Sequence, residues 1–413
     1  MHMSMFKMRK KSTHSGVIID IGSGSVVIAA ITSCPGEAEP TILWSHREHA
    51  PLRNIDTIEQ SAKAVLTALV NALLKFDSEG RNPLQEATGR ANPDLVQCSI
   101  AAPWSYTVTK SINFSQDEPF VITQNVIAEL VSTAERKIAG ELDQTDSATK
   151  LGLTIVARAT MDLLANGYRI KNPYNQKALT LSVALASVVT QKYLVDELTN
   201  LKEKLFPSSE LHELSHMLAF YGISEDILPL TSDKCLIDIT DEATEIGVVR
   251  EGSLRYATHT PFGAFSLARE IANITNLPLY EAYKHLHHAD PEHFLGTLSS
   301  SERGEVELVF QAYVKRLMDL FHETGDDLSI PKEIIVHGDL ESEALFTRFI
   351  EQAAMAVLKS SPRITMMTPV ILKSTFPTYL KHAKVGDTEV DTGMLLSAFF
   401  FHKQNTQATF EYF

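Results

Sequence analysis

The sequence predicts an α/β protein built from two related halves, and three observations carry that expectation. Two β-branched hairpins share one design, each with an aspartate near the end of its first strand. Gly16-Val17-Ile18-Ile19-Asp20-Ile21 turns through Gly22-Ser23-Gly24 into Ser25-Val26-Val27-Ile28-Ala29-Ala30. Lys234-Cys235-Leu236-Ile237-Asp238-Ile239 turns into Thr244-Glu245-Ile246-Gly247-Val248-Val249. The third observation is a strand, Glu333-Ile334-Ile335-Val336-His337-Gly338, that stops at a glycine and precedes a helical pattern at 340–352. Strands and helices alternate between these segments, as α/β or α+β architectures require.

The remaining elements follow from periodicity. Apolar residues at three- and four-residue spacing predict helices at 57–76, 123–141, 191–205, 266–274, 279–288 and 301–323. In the last of these, Val306, Leu308, Val309, Tyr313, Leu317 and Leu320 fall near one face. Strand-like runs occupy 95–101, 151–159, 167–170 and 179–188, and a final apolar helix is expected at 393–401. Pro207-Ser208-Ser209 and Pro229-Leu230-Thr231-Ser232-Asp233 mark breaks, the second just before the second half.

Composition narrows the class. The chain has 413 residues, enough for two to three domains, and its net charge of −14 disfavours binding to a phosphate backbone, so no nucleic-acid partner is expected. Cys34, Cys98 and Cys235 form neither a metal-site spacing nor a disulfide framework, which suits a reducing cytoplasm. No apolar run reaches the ~20 residues of a membrane-spanning helix. Met1, Met5 and Met8 would share a helical face beside four basic residues, a candidate peripheral membrane contact, although a frayed charged tail reads the same way.

Asp20-Ile21-Gly22-Ser23-Gly24-Ser25 contains what magnesium-bound phosphate needs. Glycines allow close backbone approach, successive N–H groups form an anion nest, serine hydroxyls donate, and the aspartate holds Mg²⁺ through water. Taken alone, the same residues serve equally as a plain hairpin turn. Lys284-His285-Leu286-His287-His288-Ala289-Asp290-Pro291-Glu292-His293 is rich in metal-ligand types, and His285 with His288 could share a face. A solvated helix end before an Asp-Pro turn accounts for it as well. Trp104 is expected to pack near the first half. No acyl-transfer triad, P-loop lysine motif or nucleophilic cysteine arrangement is present.

In this order the three segments resemble the two phosphate loops and the adenosine loop of the actin and heat-shock chaperone superfamily. Asn166-Gly167-Tyr168-Arg169-Ile170-Lys171-Asn172-Pro173, followed by Leu179-Thr180-Leu181-Ser182-Val183, resembles the inserted subdomain of bacterial FtsA, the actin-like cell-division protein. Gly252-Ser253-Leu254-Arg255-Tyr256, Pro261-Phe262-Gly263-Ala264 and Leu279-Tyr280-Glu281-Ala282-Tyr283-Lys284 are similar to its later elements. The pilus-assembly scaffold PilM is the nearest competing resemblance.

The resemblance implies an actin-like, two-lobed fold of duplicated ribonuclease H-like domains with an SHS2-type insert. The divisions it implies are a basic tail at 1–15, a first lobe at 16–115, the insert at 116–230 and a second lobe at 231–265 and 324–387. A small subdomain would occupy 266–323, and a closing helix with a tail 388–413. ATP with Mg²⁺ is the implied ligand. Asp20, Gly22, Ser23, Gly24 and Ser25 would contact phosphate, Asp238 would face them with Thr240 and Thr244 as hydroxyl donors, and Asp20 and Asp238 would hold the metal. Gly338, Glu281 and Lys284 would lie by the adenosine. The implied partners are the tail of a tubulin-like division filament, meeting the region 265–323, further copies of the chain, and a membrane surface reached through a terminus or a partner.

Two of the three loops depart from that pattern. The second loop, Asp238-Ile239-Thr240-Asp241-Glu242-Ala243-Thr244, has no glycine and brings two extra carboxylates towards the phosphates. The adenosine loop has Gly338-Asp339 in place of a glycine pair. Weak or lost nucleotide binding is therefore expected, with at most slow ATP turnover. A sugar kinase shares the superfamily, but no substrate-binding constellation with a general base is visible.

Overall fold

The computed structural model describes residues 13–51, 57–144, 152–170, 172–227, 233–287, 291–324, 329–338, 343–367 and 392–406. In chain order, β1 (His14–Ile21), β2 (Ser25–Ser33), β3 (Thr41–His49), α1 (Ile58–Lys75), α2 (Arg81–Thr88) and β4 (Leu95–Ile100) come first. Next are β5 (Ser105–Val121), α3 (Gln124–Gln144), β6 (Leu153–Ala165), β7 (Tyr168–Arg169), β8 (Lys177–Gln191) and α4 (Lys192–Leu205). β9 (Glu210–Ser215) and α5 (His216–Ile227) return to the first half. The second half holds β10 (Lys234–Ile239), β11 (Thr244–Arg250), β12 (Ser253–Thr260), α6 (Ala264–Thr275), α7 (Leu279–Leu286), α8 (Pro291–Thr297) and α9 (Ser300–Glu323). It continues with β13 (Glu333–Gly338), α10 (Glu343–Leu358) and β14 (Arg363–Met366), and α11 (Thr392–Thr406) ends the described chain.

Sheet topology shows the duplication directly. One five-stranded sheet runs β3-β2-β1-β4-β9 and the other β12-β11-β10-β13-β14. In each, the hairpin strands are antiparallel, and the next two neighbours of the aspartate-bearing strand run parallel to it and to each other. Both sheets are buried on two faces, which is why β1 and β10 read as nearly unbroken apolar runs.

The pleat decides where the aspartates point. Val17, Ile19 and Ile21 pack under α1 and α4, whereas Ile18 joins a cluster with α5 and α11. Likewise Cys235, Ile237 and Ile239 pack under the helices of the second half, whereas Leu236 and Ile335 join the α5–α11 cluster. That cluster is the layer between the two halves. Asp20 shares the parity of Ile18, Asp238 that of Leu236, and His337 that of Ile335, so the alternation sends all three towards one central layer. Close packing of aromatics fixes this layer: a Cβ on Gly16 would stand 2.5 Å from the Phe401 ring, and one on Gly222 2.6 Å from Phe400.

The inserted unit is an antiparallel sheet, β5-β8-β6-β7, covered by α3 through Ile112, Leu130, Ala134, Leu181, Val183 and Leu185. β5 pairs with β8 from Ser105 to Ser115 and again at Phe120 and Val121, so the inserted sheet begins ahead of 116. β9 pairs with β4, and α5 packs against α11, so chain expected within 116–230 is placed in the first-half sheet and the central layer. Asp162 of β6 anchors the insert: its buried carboxylate accepts two bonds from Arg169 (2.8 and 2.9 Å) and one from Arg255 of β12 (2.7 Å).

Most expected helices stand within two or three residues of the periodicity. Leu308 is a correction: it is 63% exposed, and Phe310 and Phe321 take the inward positions with Val306, Tyr313, Leu317 and Leu320. Residues 1–12, 229–232, His288, Asp339 and 407–413 lie outside the described residues. Among those described, no helix is long and apolar enough to cross a membrane.

Candidate functional site between the two halves

The two hairpin turns meet face to face, and the second fills the first. The Glu242 backbone N–H donates to Ser23 Oγ at 2.9 Å. The Glu242 carboxylate accepts from both terminal nitrogens of Arg269 (2.9 and 2.5 Å), from Ser61 Oγ (2.5 Å) and from Ser266 Oγ (3.3 Å). Asp241 accepts from the Tyr283 hydroxyl at 2.5 Å, and its Oδ2 lies where a Cβ on Gly24 would be only 1.6 Å away. Gly24 is thus required for close approach of Asp241.

Helix α6 fixes the second turn from behind. Its first N–H groups, on Ala264, Phe265 and Ser266, donate to the Thr240 and Asp241 carbonyls at 3.0, 2.7 and 3.3 Å. These N-terminal donors have no intrahelical acceptor, and the turn supplies one. Gly263 permits the contact, since a Cβ there would meet the Thr240 carbonyl oxygen at 2.1 Å. The first turn is held as firmly: Trp104 Nε1 donates to the Gly22 carbonyl at 3.2 Å, and Arg47 donates to Ser25 Oγ.

Behind the turns, in the central layer, His216 stands between the two aspartates. Its Nδ1 is 3.5 Å from Asp20 Oδ1 and its Nε2 is 3.9 Å from Asp238 Oδ1. His337 Nδ1 is 2.7 Å from Asp238 Oδ1, and its Nε2 is 3.2 Å from Thr392 Oγ1. Burial pushes the Asp238 carboxyl up, but the facing His216 and the His337 hydrogen bond outweigh it and hold it below the usual carboxylate range. Glu245, opposite Asp238 in the β10–β11 ladder, is pushed by burial up to about 8, against the lowering effect of the Thr107 N–H that donates to it.

Each expected contact residue now has a place. Gly22, Ser23, Gly24 and Ser25 form the first turn, whereas Asp20 and Asp238 lie behind it in the central layer with His216 between them. Thr240 is turned inward, donating to the Ala102 carbonyl at 3.0 Å. Thr244 is a correction: its hydroxyl lies in the second-half core, against the Phe262 carbonyl (2.9 Å) and the Tyr313 hydroxyl (2.8 Å). Glu281 and Lys284 are exposed on α7, and the residue of that helix that reaches the turn is Tyr283. Gly338 ends β13 beside Ile239. His285 stacks on Phe294 at 4.4 Å between ring centroids. Trp104 is buried against the first turn, as expected.

Sequence reasoning passed over Arg269, Tyr283, His216 and His337. The pleat alone would have found His337. His216 opens a helix of which all but Glu225 and Asp226 are buried, so no polar face sets a period to mark it.

A phosphate does not fit this arrangement. In the first turn Ser23 and Gly24 are taken by Glu242 and Asp241 and Ser25 by Arg47, and both carboxylates are buried. A phosphate placed beside them would meet about 4 kcal/mol of repulsion per charge pair at 4 Å and an effective dielectric of 20. Magnesium expected between Asp20 and Asp238 would find an imidazole there.

No family model matches the chain, and no curated protein matches it. Solved structures do match. The PilM-PilN type IV pilus biogenesis complex contains a chain that superposes with a TM-score of 0.55 at 11% identity, covering 95% of this chain and 96% of that one. The ethanolamine utilization protein EutJ from Carboxydothermus hydrogenoformans gives 0.41 at 11% identity over 94% and 90%. A Bacteroides thetaiotaomicron protein with an actin-like ATPase fold and unknown function gives 0.38 at 11% over 89% and 95%. The fold is the actin-like ATPase fold.

Proposed function

We propose that this chain is an actin-fold assembly scaffold that works through protein partners and has given up nucleotide turnover. The observation that carries the reading is the insertion of Asp241 and Glu242 into the first hairpin turn, where Ser23, Ser61, Tyr283 and Arg269 satisfy them. Across the halves, Glu242 accepts from Ser61 Oγ and its N–H donates to Ser23 Oγ, bonds the chain makes with no ligand. The expected role of ATP with Mg²⁺ is thereby reduced to binding that must first displace this turn.

In its division form, the scaffold would carry an SHS2-type insert, bind the tail of a tubulin-like filament through the region 265–323, and act at the inner face of the membrane. That form rests on the FtsA-like segments of the sequence. In a second form it would capture a membrane-protein peptide, as a pilus scaffold would. The likeness to the PilM chain over nearly its whole length favours this form among the matched structures.

Calorimetry and thermal unfolding with magnesium-ATP test the shared reading. A ligand at one hundred times its Kd stabilises by about 2.7 kcal/mol, and no such shift is expected at millimolar nucleotide. A shift that disappears in Ser23→Ala would overturn the proposal. Peptides from a filament tail and from a pilus membrane protein, titrated separately, then decide between the forms.

A further inference from the structure

The geometry points to a transition-metal site in the central layer, formed by His216, Asp238 and His337, that staples the two halves together. One ligand atom from each of these residues lies within 4.8 Å of the other two, and all three residues are buried. A tetrahedral zinc ion with ~2.0 Å bonds to nitrogen holds its donors about 3.3 Å apart. The 3.9 Å gap between His216 Nε2 and Asp238 Oδ1 would close by about 0.6 Å, and the 2.7 Å gap to His337 Nδ1 would open by as much.

Three further features favour a cation. Asp238 Oδ2 is buried without a hydrogen-bond partner among the described residues, an expensive state for a carboxylate oxygen unless something positive joins it. The outward nitrogen of each imidazole is met by an oxygen: Asp20 and Ser99 lie 3.5 Å from His216 Nδ1, and Thr392 lies 3.2 Å from His337 Nε2. Such outer contacts fix ring orientation, and the other nitrogen of each ring, His216 Nε2 and His337 Nδ1, is turned towards Asp238. The donor set also selects the ion. Imidazoles suit zinc, copper or nickel, whereas magnesium takes oxygen ligands.

The connectivity gives the ion a consequence. His216 begins α5 in the first half, while Asp238 and His337 end strands of the second. Metal binding therefore opposes separation of the halves from within the layer, independently of the turn contacts outside it. The metal site and the scaffold role stand or fall separately.

The test uses the full chain without a histidine tag, stripped with chelator and titrated with Zn²⁺ against a chromophoric chelator. One equivalent bound below micromolar is expected, with a raised unfolding temperature and no competition from millimolar Mg²⁺. His216→Gln and His337→Gln should each weaken binding at least tenfold. Binding unchanged in both variants would place the ion on exposed histidines and overturn the site. No stoichiometric binding would leave protons as the sole bridge and overturn it equally. Should the variants fail to fold, Co²⁺ added to the unmodified chain decides: an intense tetrahedral visible spectrum supports the site, and its absence refutes it.

Discussion

Gly24 shows how much one hydrogen atom in place of a methyl can decide. Because Asp241 Oδ2 lies only 1.6 Å from where a Cβ would stand, Gly24→Ala must push the two turns apart. It is expected to cost about 2 kcal/mol or more, within the ~1–3 kcal/mol range of overpacking. Adding Asp241→Ala should restore part of that loss, with a coupling of ~0.5–3 kcal/mol in urea unfolding. Strict additivity would mean that the two residues do not touch. Glu213 tests electrostatics away from the turns. Burial pushes its carboxyl up to about 7 in the folded chain. Below about 4.5 both folded and unfolded chains hold the proton, and its stabilisation is complete. Between there and pH 7 only the unfolded chain releases it, so stability falls as pH rises, by up to ~1.4 kcal/mol per unit. Glu213→Gln should remove that part of the slope in unfolding curves recorded at pH 5, 6 and 7. The residues that could be read from sequence were the ones whose type matched a known loop chemistry. Asp241 and Glu242 were visible as misplaced charges, but their neutralisation was not, because Arg269 and Tyr283 come from helices that only the fold brings near.

Among elements, legibility followed periodicity. Helix α9 was plain in the sequence because it is amphipathic, yet its exposed edge was misjudged at Leu308. Leu317→Ala should cost about 2–5 kcal/mol and Leu308→Ala less than about 0.5, measured by urea unfolding; similar costs would mean that α9 is rotated. Helix α5 was missed because nearly every one of its residues is buried between the two sheets, leaving no polar face to set a period. Strand β5 was missed because its segment Gln116-Asp117-Glu118-Pro119 is polar and exposed, and a proline at a sheet edge reads as a break. The two hairpins were legible because each is a short local unit whose alternation and turn lie within twenty residues.

At the scale of the molecule, duplication was legible from the hairpins, whereas the relation between the halves was not. Nothing local states that a turn of one half occupies the turn of the other, since that depends on the depth of the layer between them. The same layer also sets an order in time. The second half draws all five of its strands from one stretch of chain, 234–366, together with the helices that cover its outer face. The first half begins at His14, waits for β9 to complete its sheet, and waits again for Phe401 to close over Gly16. On a growing polypeptide leaving the ribosome, the half made first is therefore the half finished last, and the face of β1 at Gly16 stays uncovered until the final helix arrives.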